Sequence, residues 1–584
     1  MANKFILAFG FALCVSQAFG AVYYVATDGD DSAAGSKEKP FASLNKANSV
    51  VTAGDTVWIR GGIYDLNDTI YYKRYRMTAG ILLTASGESD DNRIHYLAYP
   101  GERPIFDGAN LPVGQGHSHS DAGTIDSVTL TSPIVIEAKY LHLKGFEVRG
   151  IPMKHNSNSG IFIYASKHIF LEQIDSHHNA GPGIFINDGP SGGGGHLILN
   201  CDAHDNYDPT GRQGDGENAD GFGAHYQQPG DGDTTKFIGC RSWWNSDDGF
   251  DFINQEFPVV MENCYAMGNG YSHYGVDRPP NGNGHGIKMG ESTKGGGHHL
   301  IQYCVAWKNR SSGFYANYTG AGSRWFNNTS YMNEDRAFNM ASTTFDAEGH
   351  RTADVAPLTG DNAHVLKNNI AFPNKLSQIG ECWYKTETID EYVECTAGEN
   401  NTWNLKLDLT EDDFMSLDDP SMTTTGKDLS TIAGILGPRN PDGSIPDVNF
   451  LKLKEGSRAI DQGEDVGLPF AGKAPDLGAY EFEMKVSSSS KEPQNSSAAP
   501  ASSSSKKSSS SSSKGAESIA TKITLPAEFS GTAGIFDLQG RYLGTLQAEQ
   551  LRSGNLAEIL RIKFKNYGVY LVRCGSQTQK VNTK

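Results

Sequence analysis

The stretch Asn245–Asn254, NSDDGFDFIN, sets Asp247, Asp248 and Asp251 among aromatic and aliphatic neighbours. Carboxylates packed this closely suppress one another's ionisation unless something neutralises them. Two other segments have a similar turn-like texture: NADGF with Asp220, and GHGIK with His285 and Lys288. If the fold stacks the three, four carboxylates meet beside one lysine. An oxygen-only donor set of high charge suits a hard cation, and loop-borne ligands suit Ca²⁺ better than Mg²⁺. A lysine beside a bound dication has its pKa lowered, which makes neutral amine available as a base. The matching substrate proton is the C5–H of a uronate sugar, α to the carboxylate, with loss of the C4 substituent completing a β-elimination. Without a metal the same residues are a solvated acidic face.

For these segments to meet, the chain must repeat. Aligning QIDSHHN, NCDAHDN, GCRSWWN, NCYAMGN, YCVAWKN, NNTSYMN and KNNIAFPN on their last residue gives Asn179, Asn206, Asn245, Asn269, Asn309, Asn333 and Asn374. A Gly-led tetrad recurs in step: GIFI at 160 and 183, GFGA at 221, GFDF at 249, GIKM at 286, GFYA at 313, AFNM at 337. The second and fourth residues of every tetrad are apolar, so period two puts them in the core and turns the third residue outward. One short strand per coil, a buried face and an Asn at a fixed turn predict a right-handed parallel β-helix whose asparagines hydrogen-bond from coil to coil. In this register Asp251 and Lys288 are neighbours at outward positions, as are Asp220 and Asp248 in the position before the Gly. Lys288 is therefore expected to be exposed on the outer face. Cys201, Cys240, Cys264 and Cys304 share another column, without zinc-site spacing, and read as small core residues. Residues 41–51, FASLNKANSVV, have helical periodicity and precede the first convincing strand; they are expected to cap the open end of the coil, whose strand edges would otherwise be exposed.

The remaining features bound the molecule. Residues 1–20 read as a secretory signal, with Lys4, a short apolar run and an Ala-Phe-Gly cleavage site. No segment is long enough to span a membrane, so an exported, soluble monomer is expected, extracellular or attached to the cell surface. The net charge of −18 argues against nucleic acid as a partner. Eight cysteines less Cys14 leave seven, an odd number; a disulfide between Cys382 and Cys395 stays open. The domains are expected at 21–484 for the β-helix, 485–516 for a Ser-rich linker, and 517–584 for a small β module with strand-like runs AGIFDLQGRYLG and YGVYLVRCG.

NADGF, NSDDGFD and GHGIK, in that order on a β-helix, resemble the pectate lyases of polysaccharide lyase family 9. The resemblance covers about 21–484. It implies a catalytic Ca²⁺ on Asp220, Asp247, Asp248 and Asp251, Lys288 as Brønsted base, and pectate or polygalacturonate as substrate. The C-terminal unit resembles sorting modules of the bacterial type IX secretion route, which implies secretion machinery as a partner. Tyr315, Arg310, Arg336, Trp243 and Trp244 are candidates for a substrate groove and equally ordinary surface; His285 is a turn residue or a minor contact. Two rivals stay open. A polygalacturonase-type hydrolase shares the fold and would use the aspartates with water and no metal, but would not need Lys288 beside Asp251. A Ca²⁺-stapled adhesive or carbohydrate-binding β-helix fits the linker and terminal module, but leaves Lys288 without a role.

Overall fold

The computed structural model describes residues 20–482, except 75–76, 113–130, 152–158, 190–192, 210–213, 229–232, 273–277, 291–296, 353–355, 357, 374–378, 381–382, 386–389, 393–395, 398 and 420–432, together with four strands between 532 and 582. The leader, the Ser-rich stretch, Asn374, Cys382 and Cys395 lie outside the described residues. Among the described residues, no helix is long and apolar enough to cross a membrane.

The chain divides into two compact units. The first comprises residues up to Val466 and Ala471–Phe482. It is a right-handed parallel β-helix. Three long sheets of 12, 10 and 11 strands run along it. Each coil contributes one short strand to each sheet in turn; Phe170–Glu172, Asp175–His177 and Ile184–Asn187 make one such coil. Pairing is parallel, apart from the opening hairpin of Ile70–Tyr72 with Met77–Leu83 and the antiparallel pair of Trp383–Lys385 with Asp390–Tyr392. The second unit comprises Gly467–Phe470 and Glu483–Lys584. Its strands Thr532–Phe536, Tyr542–Gln547, Val569–Cys574 and Gln577–Asn582 form an antiparallel sheet in the order second, first, third, fourth. They include parts of both strand-like runs read from the sequence.

The third sheet carries the Gly-led tetrads, and their alternation is the reason the coil closes. Ile161, Ile184, Phe222, Phe250, Ile287, Phe314 and Phe338 are all fully buried, as are Ile163, Ile186, Phe252, Met289 and Met340. Phe222 and Phe250 stack at 4.9 Å between ring centroids. Burying each such ring contributes about 2–3 kcal/mol. Most corners after the second-sheet strands use a residue with positive φ, such as His178, Asp205, Trp244 and Lys308. A non-glycine residue there is conformationally costly, by about 1 kcal/mol or more. The asparagine that follows offsets it. Asn179 Nδ2 donates to Asn206 Oδ1 at 3.0 Å, Asn206 to Asn245 at 2.8 Å, Asn245 to Asn269 at 3.0 Å, Asn269 to Asn309 at 3.0 Å and Asn309 to Asn333 at 2.9 Å. The same geometry explains the leading glycines. A Cβ at Gly249 would stand 2.6 Å from Asn269 Nδ2, and one at Gly313 2.5 Å from Asn333 Nδ2, so beside the ladder these positions admit only glycine.

The cysteine column behaves as expected: Cys201, Cys240, Cys264 and Cys304 are buried and unpaired. The sequence reading missed what the column becomes. From Asn328 it continues as a second amide ladder, Asn328 to Asn369 at 3.0 Å and Asn369 to Asn401 at 2.8 Å. The helix within 41–51 is one short turn, Leu44–Asn48, capped by Ser43. It buries Leu44 and Ala47 in the same core as the first coil, at the end where Val22–Val25 is the edge strand.

Candidate active site

Asp251 stands between Phe250 and Phe252, both fully buried in the strand, so its side chain must point out of the coil. The outward column reads Phe162, Phe185, Gly223, Asp251, Lys288, Tyr315, Asn339 in successive pairings, as the sequence register predicts. One residue before the glycines, Gly221 N donates to Asp248 O and Gly249 N to His285 O, which makes Asp220, Asp248 and His285 consecutive rungs. One oxygen from each of Asp220, Asp248 and Asp251 lies within 4.8 Å of the others. All four aspartates are at most 5% exposed.

Backbone amides tether one oxygen of each carboxylate. Asp247 Oδ1 accepts from Asn283 N at 2.6 Å, Asp248 Oδ1 from His285 N at 2.6 Å, Asp220 Oδ1 from Asp248 N at 3.1 Å and Asp251 Oδ1 from Ile253 N at 2.9 Å. Glycine makes part of this possible: a Cβ on Gly282 would meet Ser246 O at 1.9 Å, so only glycine lets the chain before Asn283 come so close to the Ser246–Asp247 turn. The second oxygens of Asp248 and Asp251 both accept from Lys288 Nζ, at 2.9 and 3.0 Å.

The structure corrects the expectation of an exposed lysine. Lys288 is 7% exposed. Its side chain points out of the coil, but the carboxylates of Asp248 and Asp251 close over the amine. Burial is the largest influence on that amine and would lower its pKa. The carboxylates of Asp248, Asp251, Asp247 and Asp220 outweigh it and hold the pKa well above the usual lysine range. The carboxylates respond unequally. Burial and the charges of Asp251 and Asp248 push Asp220 well up, and burial with Asp248 and Asp220 does the same to Asp247. Burial raises Asp248 to about 6 against the pull of Lys288. Asp251 alone is lowered: Lys288 and His225 overcome its burial. Four carboxylates against one ammonium leave a buried excess of negative charge, made only of oxygen donors. That donor set fits a hard dication.

The proposed substrate residues fall into two groups. Tyr315 is the rung after Lys288 and stacks on His285 at 4.2 Å. Burial, then Lys288, pushes the His285 imidazole down to about 3, so this ring is neutral. Arg310 is instead bound to the carbonyls of Gly270 and Pro279, where it steadies the segment leading to Asn283. Arg336 stands two rungs beyond His285 and is paired with Asp335 at 3.0 Å. Trp243 is buried on the second sheet, away from this column. One residue escaped the sequence reading. His225 lies two positions after Gly223, hence on the same outward face, and its buried Nε2 meets no hydrogen-bond partner among the described residues. Continuing the outward period past the tetrad would have found it.

The family model described as Pel9A-like, right handed beta helix region, matches residues 23–353, more than half of the 584 residues. The chain belongs to this family. The matched span holds all four aspartates and Lys288. The chain is similar to "Pectate lyase L" of Dickeya dadantii (strain 3937), 29% identical over 462 residues, which are 79% of this chain and 90% of that one. Among solved structures it resembles pectate lyase Pel9A, with TM-score 0.58 and 27% identity over 79% of this chain and 96% of that one. It also resembles a structure named rhamnogalacturonan lyase, with TM-score 0.60 and 28% identity over 74% and 97%.

Proposed function

We propose that this member of the Pel9A-like family is a Ca²⁺-dependent pectate lyase that cleaves (1→4)-α-D-galacturonan by β-elimination. The chain is a polysaccharide lyase. The observation that carries the finer reading is the aspartate corner itself: four buried carboxylates around one lysine, each tethered so that an oxygen is held in place. Asp220, Asp247, Asp248 and Asp251 would hold the cation, which when bound draws electron density from the uronate carboxylate and stabilises the charge developing at C5. Lys288 Nζ takes the C5 proton. The C4–O4 bond then breaks, the leaving sugar keeps the bonding pair, and a C4=C5 double bond remains.

The charge state of Lys288 fits this role once the corner is neutralised. The carboxylates alone keep its proton on; with their charge engaged, burial favours the neutral amine. Tyr315 and His285 form an aromatic step beside Lys288 on which a sugar ring could rest. Export by the N-terminal leader, and a C-terminal unit that serves sorting rather than chemistry, complete the proposal.

A second substrate is favoured by one observation. The likeness to the rhamnogalacturonan lyase is as strong as that to Pel9A, and a galacturonate substituted at O4 by rhamnose offers the same C5 proton. Absorbance at 235 nm with polygalacturonate and with rhamnogalacturonan, each with and without chelator, tests the reading. Chelator-sensitive absorbance on polygalacturonate supports it. Absorbance on rhamnogalacturonan alone moves the activity to the second substrate. Reducing ends without absorbance point to a hydrolase.

A further inference from the structure

The strand Val22–Val25 is the edge of the first sheet at the capped end of the coil, and Thr56–Ile59 is its neighbour in that sheet. The first residues of a chain fray unless something ties them down. Here the tie is a buried carboxylate. Ala21, just ahead of the strand, donates its backbone N–H to Asp55 Oδ1 at 2.6 Å, and its carbonyl accepts from Thr56 N at 2.9 Å. Asp55 Oδ2 accepts from Thr52 N at 2.8 Å and from Thr52 Oγ1 at 3.1 Å, which fixes the side chain across the turn before Thr56–Ile59.

Asp55 is 4% exposed, yet among the described residues no cationic side chain is paired with it. Burying a carboxylate is costly unless an opposite charge meets it. Asp202, equally buried, has Arg241 and Arg439 for that purpose. At Asp55 the sequence supplies the missing cation. The leader is expected to be cut between Gly20 and Ala21, and the inference rests on that reading. Hydrolysis of this bond by a leader peptidase and water leaves a carboxylate on Gly20 and an amine on Ala21, at the nitrogen that Asp55 already holds. An α-amine has a pKa of about 7.7–8.0, so it is mostly ammonium at neutral pH.

We propose that Asp55 is the receptor for the α-ammonium of the processed chain, so that leader removal turns an amide hydrogen bond into an ion pair that fastens the edge strand. A charge-assisted hydrogen bond is about twice as strong as a neutral one. Ala21 itself is exposed, so the ammonium keeps water on its outer side while the carboxylate beneath it is enclosed. The unprocessed chain has the strand but not the charge, and the capped end of the coil is completed only after processing.

The test uses full chains without the leader, one beginning at Ala21 and one at Gly20, each with and without Asp55→Asn. Glycine is the residue that fits before Ala21, because a Cβ there would stand 1.9 Å from Gly54 O. The longer chain therefore keeps the strand and moves the charge one residue away. Hydrogen exchange of the Val22–Val25 amides at neutral pH reads the local opening. Exchange should be roughly tenfold slower in the chain that begins at Ala21, and Asp55→Asn should abolish that advantage. Should Asp55→Asn fold poorly, acetylation of the Ala21 amine removes the other charge and should cost the same protection. Equal exchange in the two unsubstituted chains, or an advantage that survives Asp55→Asn or acetylation, would overturn the proposal. Mass spectrometry of the exported protein checks the leader reading separately: a first residue other than Ala21 would overturn the proposal as well, since the ammonium would then lie away from Asp55. Polysaccharide cleavage enters none of these readouts.

Discussion

Asn245 and Asp247 are two residues apart in the same turn, yet they belong to opposite kinds of column. The asparagine ladder repeats a neutral group that is both donor and acceptor, so every rung satisfies the next; Asn309 Oδ1 accepts from Asn269 Nδ2 and Asn269 N, both at 3.0 Å. The aspartate corner repeats an acceptor-only charge at the same rung spacing of about 4.8 Å. The second oxygens of Asp248 and Asp251 find one ammonium between them. Stacking amplifies whatever is stacked: amides accumulate hydrogen bonds, carboxylates accumulate repulsion. A fold retains the second arrangement where a ligand supplies the missing charge, and that difference separates what holds this coil together from what it works with.

The comparison breaks most visibly on the charged side. Asp251→Asn should lower elimination about 10³-fold at low Ca²⁺, the range for losing a group that acts on the transition state, with partial recovery at high Ca²⁺ as the remaining three carboxylates fill. Calorimetry that found unchanged Ca²⁺ affinity would take Asp251 out of the cage. On the neutral side the effect is on stability. Asn309→Ala strands the buried Asn269 backbone N–H and takes one partner each from Asn269 Nδ2 and Asn333 Oδ1, and should cost about 2–4 kcal/mol, measured by denaturant unfolding. The folded fraction should keep its turnover; a loss of specific activity as large as that of Asp251→Asn would erase the distinction.

The smallest effect runs the other way. Asp247→Asn should raise metal-free stability by about 1 kcal/mol at neutral pH, because it removes a buried like charge. The sign follows from linkage. Asp220, Asp247 and Asp248 have folded pKa values above their unfolded ones, so the native state holds protons that the unfolded chain releases. Metal-free stability should therefore fall as pH rises from about 4 through 6, and less steeply in the variant. A variant less stable than the wild type at every pH would show that Asp247 is chiefly the anchor for Asn283.

Much of this was legible in the sequence. The outward column from Phe162 to Asn339 came from period two alone, since any slip of one residue would have buried Asp251 and exposed Phe250. The first ladder was legible because Asn and Gly recur in step, and the structure shows that no Cβ fits beside the ladder at Gly249 or Gly313. The second ladder was not, because its column changes residue type between Cys304 and Asn328, and a repeat search follows identity. The environment of Lys288 was also out of reach. Direction follows from register, but exposure depends on neighbours in three dimensions, and here two of them are the carboxylates that the lysine serves.

The central claim is that Lys288 is the base rather than the counter-ion that keeps four aspartates tolerable. The measurement that separates the two is 235 nm elimination by folded Lys288→Met in saturating Ca²⁺. Methionine keeps the length of the side chain and cannot take a proton, and Ca²⁺ would neutralise the aspartates without the lysine. The account requires Ca²⁺ affinity equal to or tighter than that of the wild type, because a competing cation has left the cage, together with elimination reduced to background at every Ca²⁺ concentration. Recovery of near wild-type absorbance as Ca²⁺ is added would contradict it, since Lys288 would then be only a charge that calcium can replace.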